Sequence, residues 1–197
     1  MFLMITSITK ADTLYLTYSD IVGGVPWYTH YYGSWAPSGN TFDVFCVSDI
    51  NLKDPETVTK YSLASGISGA GLPSNWGYYI GNLKPDEDQS ADFNQAVWIA
   101  KNYNSLRATW DEAQLAIWNV LDMLNLSTIA DITIRDEVSA LASASIGQDG
   151  TSTQWMLLYA ENNGQTYLYS TPVPEPSTML LLGMGLIGLA SLRKKRN

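Results

Sequence analysis

Cys46 is the only cysteine of the chain, so an internal disulfide is excluded. A lone thiol is buried as a small apolar group, paired between chains, or used as a nucleophile. One cysteine and one histidine, His30, are too few for the usual nitrogen and sulfur ligand set of zinc. His30 stands among Tyr28, Tyr31 and Tyr32 and reads as a hydrogen-bonded surface side chain. No Gly-x-Ser-x-Gly elbow marks a serine nucleophile. The acidic run Asp86-Glu87-Asp88 lacks the Asp-x-Asp-x-Asp-Gly spacing of a calcium loop and reads as a solvated loop. No metal and no cofactor is expected.

Two segments bear on the use of that thiol. One is Phe45-Cys46-Val47; the other is Ala113-Gln114-Leu115-Ala116-Ile117-Trp118, preceded by Trp98-Ile99-Ala100-Lys101-Asn102-Tyr103. Together they resemble the two halves of bacterial surface thioester domains, in which a cysteine on a strand is joined to the glutamine of a Gln-x-Ala-Ile-Trp-like segment. The resemblance spans roughly residues 41–124 and implies Cys46 as thiol and Gln114 as carboxamide. The interval between them is shorter than in the Gram-positive domains. In the implied reaction the thiolate attacks the side-chain carbonyl of Gln114 and expels ammonia. An amide is a poor acyl donor, so the step needs enforced proximity and help for the developing oxyanion. Gln114 falls just beyond the first turn of a capped helix, near the positive end of its dipole. Trp118, at i+4, is placed to keep water off the product. The stored acyl group would join once to an amine or hydroxyl of a partner, which makes the protein a covalent binder and not a turnover enzyme. Each residue also has a plainer reading. Cys46 shares a strand face with Phe42 and Val44 and suits a core, and Gln114 suits a hydrogen bond to a strand edge.

The elements that would position these residues are legible in the hydrophobic pattern. Strands are expected over 12–19, 41–47 and 57–63, with 25–33 a strand or a wide turn and 78–83 a short strand. Residues 65–75, rich in Gly and Ser, read as loop. Phe93, Val97 and Ala100 make the apolar stripe of a helix over 89–103. Thr109-Trp110-Asp111-Glu112 is a capping box that starts a second helix with the stripe Ala113, Ile117, Val120 and Leu124. A third, short helix is expected over 136–144. Segments 155–159 and 165–169 read as a hairpin turning at Asn162-Asn163-Gly164. Asn125-Leu126-Ser127 matches a glycosylation sequon, here read as chance. The expected class is α+β: a mostly antiparallel β domain with a helical insertion of two or three helices, plus a C-terminal transmembrane helix.

That last helix belongs to a tripartite tail. Val173-Pro174-Glu175-Pro176-Ser177 is held extended by its prolines. An apolar, uncharged run follows over 178–192, and then the basic cluster Arg193-Lys194-Lys195-Arg196. Residues 177–192 would reach about 24 Å as a helix, short of a hydrocarbon core of about 30 Å, a difference that snorkelling or local thinning would cover. The positive-inside rule places the cluster in the cytoplasm and the bulk of the chain outside. The tail closely resembles the PEP-CTERM sorting signal of Gram-negative bacteria. The resemblance rests on Pro174, Glu175 and Pro176, the apolar segment and the basic end. It implies recognition and cleavage by the membrane protease exosortase in a producer of extracellular polysaccharide.

The chain has 11 Lys+Arg against 19 Asp+Glu, net −8. Without the four basic residues of the tail the balance is 7 against 19, net −12, which argues against nucleic-acid binding. An exported chain should open with a basic n-region and a longer apolar segment than 1–5. Residues 1–11 therefore read as the stub of a signal peptide whose start lies upstream, with a mature end near Asp12. The resulting plan is a signal-peptide remnant over 1–11, an extracellular thioester-like domain over 12–170, a linker with the PEP motif over 171–177, a transmembrane helix over 178–192 and a basic tail over 193–197. The expected partners are exosortase, the inner membrane, and extracellular polysaccharide or an amine-bearing surface protein. The second function class is a non-covalent carbohydrate-binding or structural matrix module with a buried free Cys46, in which Tyr and Trp stack on sugars.

Overall fold

A computed structural model describes residues 12–21, 29–48, 55–72, 90–160, 164–171 and 184. The strands are β1 (Asp12–Ile21), β2 (Thr29–Ser34), β3 (Phe42–Cys46), β4 (Glu56–Ser62), β5 (Trp155–Tyr159) and β6 (Tyr167–Ser170). Between β4 and β5 come the helices α1 (Ser90–Asn102), α2 (Trp110–Val120) and α3 (Ile132–Ser145). A 3₁₀ turn, Leu126–Thr128, precedes α3.

The strands close into a barrel in the order β1-β2-β3-β6-β5-β4, every pairing antiparallel. This corrects the expected α+β class. The described residues form a closed six-stranded antiparallel barrel carrying three helices. Closure depends on β1. Asp12 to Leu14 pair with Val58 to Glu56 of β4, while Tyr15 onward pairs with β2. One strand thus joins both ends of the sheet, which alternation alone does not disclose. The transmembrane helix expected over 178–192 is not found either. Among the described residues no helix is long and apolar enough to cross a membrane, and all of 172–197 except residue 184 lies outside the described residues, as do 78–83 and 86–88.

Pairing and burial assign the faces. Val44 and Cys46 lie opposite Tyr169 and Tyr167 and point into the barrel with Leu14, Leu16, Val58 and Leu158, all buried. Gly33 belongs to this interior, because a Cβ there would stand 2.5 Å from Phe42 Cε2 and 3.0 Å from Leu14 Cδ1. The alternate residues Phe45, Leu168, Leu157 and Tyr159 point outward to a second buried layer. There Phe45 meets Tyr103, Trp110 and Trp155.

α2 fills this layer. Its residues 113–118 are all buried, a continuous run instead of a stripe, as in a helix covered on every side. It contacts α1, α3 and β3. Thr109 caps it as expected: Glu112 N donates to Thr109 Oγ1 (3.3 Å) and Thr109 N donates to Glu112 Oε2 (2.7 Å). α3 is longer than expected because Asp131 caps it and starts it at Ile132, four residues before the expected 136, accepting from Thr133 N at 2.8 Å. The sequon residue Asn125 likewise caps the 3₁₀ turn.

Candidate functional site

Cys46 ends β3, where the sheet opens on one side. The β2–β3 register covers Tyr31 to Gly33 against Val44 to Phe42, so Cys46 lies beyond its last pair. On the other side β6 continues alongside: Cys46 pairs with Tyr167, and Val47 N donates to Thr166 O at 3.0 Å. The Cys46 N–H and C=O therefore need partners from elsewhere.

α2 supplies them. Cys46 N donates to Gln114 Oε1 at 2.8 Å, and Gln114 Nε2 donates to Cys46 O at 2.9 Å. Trp118 Nε1 donates to the same carbonyl at 2.9 Å. Gln114 is 0% and Cys46 1% exposed. One helical turn separates Gln114 from Trp118, which is why both reach the same peptide group. The structure thus brings the Gln114 side chain to the Cys46 peptide across 68 positions, with Trp118 bonded to the same peptide group.

The arrangement has definite chemical potential. Attack at Gln114 Cδ would place negative charge on Oε1, which already accepts from Cys46 N–H at an oxyanion-donor distance. Burial, and then the Glu56 carboxylate, push the Cys46 thiol well above its ordinary range. The resting group is the neutral thiol, so acyl transfer from Gln114 needs a proton acceptor.

A buried polar group occupies this end of the barrel, and the sequence reading did not single it out. Glu56, 2% exposed, accepts from Gln165 N at 2.7 Å. Gln165 Nε2 donates to Ser48 O at 3.2 Å, Thr166 N to Ser48 Oγ at 2.8 Å, and Tyr167 Oη to Gln165 Oε1 at 3.3 Å. Gly164 is required here, because a Cβ would overlap Glu56 Oε1. The signal available in sequence was the inward register of Glu56, Val58 and Lys60, which sets charges on a core face.

At the opposite end, Lys60 pairs with Asp12 at 2.6 Å and lies 3.6 Å over the Trp35 ring. A cavity of about 360 Å³ opens there, lined by Asp12, Tyr15, Trp35 and Lys60 among others. Trp35 is also packed on Phe42 and Tyr169. His30 lies in β2 opposite Ser19, and its side chain lies outside the described structure. Among the described residues no group of His, Cys, Asp and Glu is arranged to hold a metal ion. The sorting residues Pro174, Glu175 and Pro176 and the basic residues Arg193, Lys194, Lys195 and Arg196 lie outside the described residues.

Comparison with known families finds the PEP-CTERM protein-sorting motif over residues 172–196. Neither the curated proteins nor the solved structures return a match.

Proposed function

From the premise that the chain carries a PEP-CTERM sorting signal, which directs exosortase-dependent export toward the cell surface, we propose that the exported barrel attaches covalently to a partner through a Cys46–Gln114 thioester. The observation that carries this reading is the docking of the Gln114 carboxamide on the Cys46 peptide at 2.8 and 2.9 Å. Proximity of this kind supplies much of what an unactivated amide lacks. The doubled hydrogen bond at Cys46 O also fits. When ammonia departs, Nε2 goes with it, and Trp118 Nε1 remains to satisfy the buried carbonyl. The near-complete burial of both residues would protect the product from hydrolysis. An amine of a surface protein, or a hydroxyl of extracellular polysaccharide, would then take the Gln114 acyl group.

The alternative, a module stacking sugars on aromatic rings, has less support. The half-buried Trp35 at the open cavity is already engaged by Lys60, Phe42 and Tyr169.

The test is the intact mass of the purified protein before and after methylamine. A mass short by one ammonia, restored as a methylamine adduct on Gln114, is the expected result. A full mass with a thiol that titrates on denaturation would leave Gln114 as a structural clamp and Cys46 as core packing.

A further inference from the structure

Gln114 is 0% and Cys46 1% exposed, so no partner reaches the Gln114 acyl carbon while α2 lies in place. One of the two elements has to yield. β3 is hydrogen-bonded to β2 and to β6 and cannot leave without opening the barrel. α2 rests on the sheet edge through side chains: Gln114 and Trp118 on the Cys46 peptide, and the Trp110 ring on Phe45. It is the element that gives way at lower cost.

The chain on either side of α2 is suited to turning. Among the described residues, the non-glycine residues with left-handed backbone are Arg107 (φ 62°) and Asp122 (φ 56°). Arg107 stands just before the Thr109 cap, and Asp122 directly follows the Leu121 cap. Side chains other than glycine crowd their own backbone in this region and adopt it at a cost. Tight turns hold both residues there. Ala108 N donates to Tyr103 O at 3.0 Å, and Met123 N donates to Trp118 O at 2.8 Å. Each residue also borders open space. A cavity of about 290 Å³ lies at Arg107, lined by Leu106, Glu112 and Ala144 among others. Another of about 420 Å³ lies at Asp122, beside Asn119 and Leu124. Hinges are a few element-terminal residues that absorb a change of φ and ψ, and here they flank the helix that covers the acyl site.

We infer that α2 is a hinged cover over the acyl site, turning at Arg107 and Asp122 to admit a partner's amine; the inference rests on the thioester reading above. The turn releases the strain at both residues and uncovers the edge of β3 beyond its last pair with β2. The thioester ties α2 to β3, so the motion is a tilt about that link. The amine nitrogen then bonds to Gln114 Cδ, Cδ–Sγ breaks, and the proton shed by the nitrogen passes to Sγ and restores the thiol. With the link gone and a macromolecule on Gln114, that side chain has no room to return to a fully buried site. α2 stays turned out, which makes capture one-way.

The experiment is amide hydrogen exchange of the full chain, run beside the kinetics of methylamine uptake by intact mass. Arg107→Gly removes the strain of the closed state. Arg107→Val deepens it, because a β-branched side chain tolerates the left-handed region least. The glycine variant should take up methylamine about 3-fold more slowly, and the valine variant about 3-fold faster. The amides of α2 and of Cys46 should shift in exchange by the same factors, while those of β5 and β6 keep their rates. Asp122→Gly should repeat the glycine result, and it decides the matter if Arg107→Val does not fold. Uptake at the original rate in the folded variants overturns the hinge, as does a shift in exchange that β5 and β6 share. A chain that has lost no ammonia overturns the thioester reading instead, and the exchange of α2 alone then decides whether the cover turns.

Discussion

Phe45 lies flat on Trp110, with ring centroids 5.1 Å apart and planes 8° from parallel. The first ring belongs to the residue before the thiol, the second to the first residue of α2. Their contact sets the height of the helix over β3 and so delivers Gln114, one turn later, to the Cys46 peptide. Tyr103 and Trp155 brace the same ring at 5.5 and 5.9 Å. Phe45→Leu should lower stability by about 1–2 kcal/mol through lost ring contacts. It should also reduce the fraction of chains lacking one ammonia. Urea unfolding and intact mass measure the two effects separately.

Gln114→Ala removes both hydrogen bonds to Cys46 and leaves its buried N–H without the Oε1 acceptor. The lost bonds and the space left behind should together cost about 2–4 kcal/mol. Denaturant midpoints should show this even where no thioester is present, because the clamp acts on the backbone.

Trp118→Phe keeps a six-membered ring but deletes the pyrrole half of the indole with its Nε1 donor to Cys46 O. In the thiol form Gln114 Nε2 still serves that carbonyl, so the hydrogen-bond part of the loss should be about 1 kcal/mol. In the thioester form nothing replaces it, and the cost should be greater. Comparing thermal midpoints with and without methylamine treatment distinguishes the two.

Burial, and then Glu56, raise the Cys46 thiol above its ordinary value of 9.0. A group raised on folding stabilises the fold below its unfolded value, and that contribution is lost as pH climbs through the folded one. The thiol form should therefore lose stability from about pH 9 upward. Tyr103 and Tyr167, raised from 10.0 chiefly by burial, add a second loss beginning about one unit higher. Cys46→Ala should abolish the first loss and keep the second. The thioester form, having no ionisable thiol, should behave like the alanine variant. Urea midpoints from about pH 8 to about pH 11 would check this.

Replacing Pro174, Glu175 and Pro176 by alanine should leave the barrel's unfolding unchanged and block sorting. Cell fractionation should then find unprocessed chain in the cell envelope, where the unaltered protein is processed and moves on. Normal processing of the variant would show that the matched motif is not what the sorting machinery reads.

The helices were legible because local signals fix them. The capping box at Thr109 and the spacing of Phe93, Val97 and Ala100 need no distant partner. Strands β3, β5 and β6 were legible from alternation and turn residues. Barrel closure was not, since it depends on which half of β1 meets β4, a long-range choice that leaves no local trace. Cys46 and Gln114 were visible as a pair only through resemblance, while their contact runs through the backbone of Cys46, which side-chain identities do not encode. Glu56 and Tyr167 escaped because each looks ordinary in its own strand. Only the register that sets Cys46 against Tyr167, and the Gln165 amide that bridges to Glu56, gathers them.

The strand nearest the sorting signal, β6, is hydrogen-bonded on both sides, to β3 and to β5, and Thr171 is latched to Gln154 O through its amide and its hydroxyl at 2.7 and 3.0 Å. On the proposed reading, tension between the sorting signal and a partner held on Gln114 would enter β5 at Trp155 and leave β6 at Ser170, which are paired with each other. The hairpin would then be pulled open from that end, and the two Thr171 bonds to Gln154 O are what such a pull meets first. The latch thus sets the force at which the tail begins to peel from the barrel.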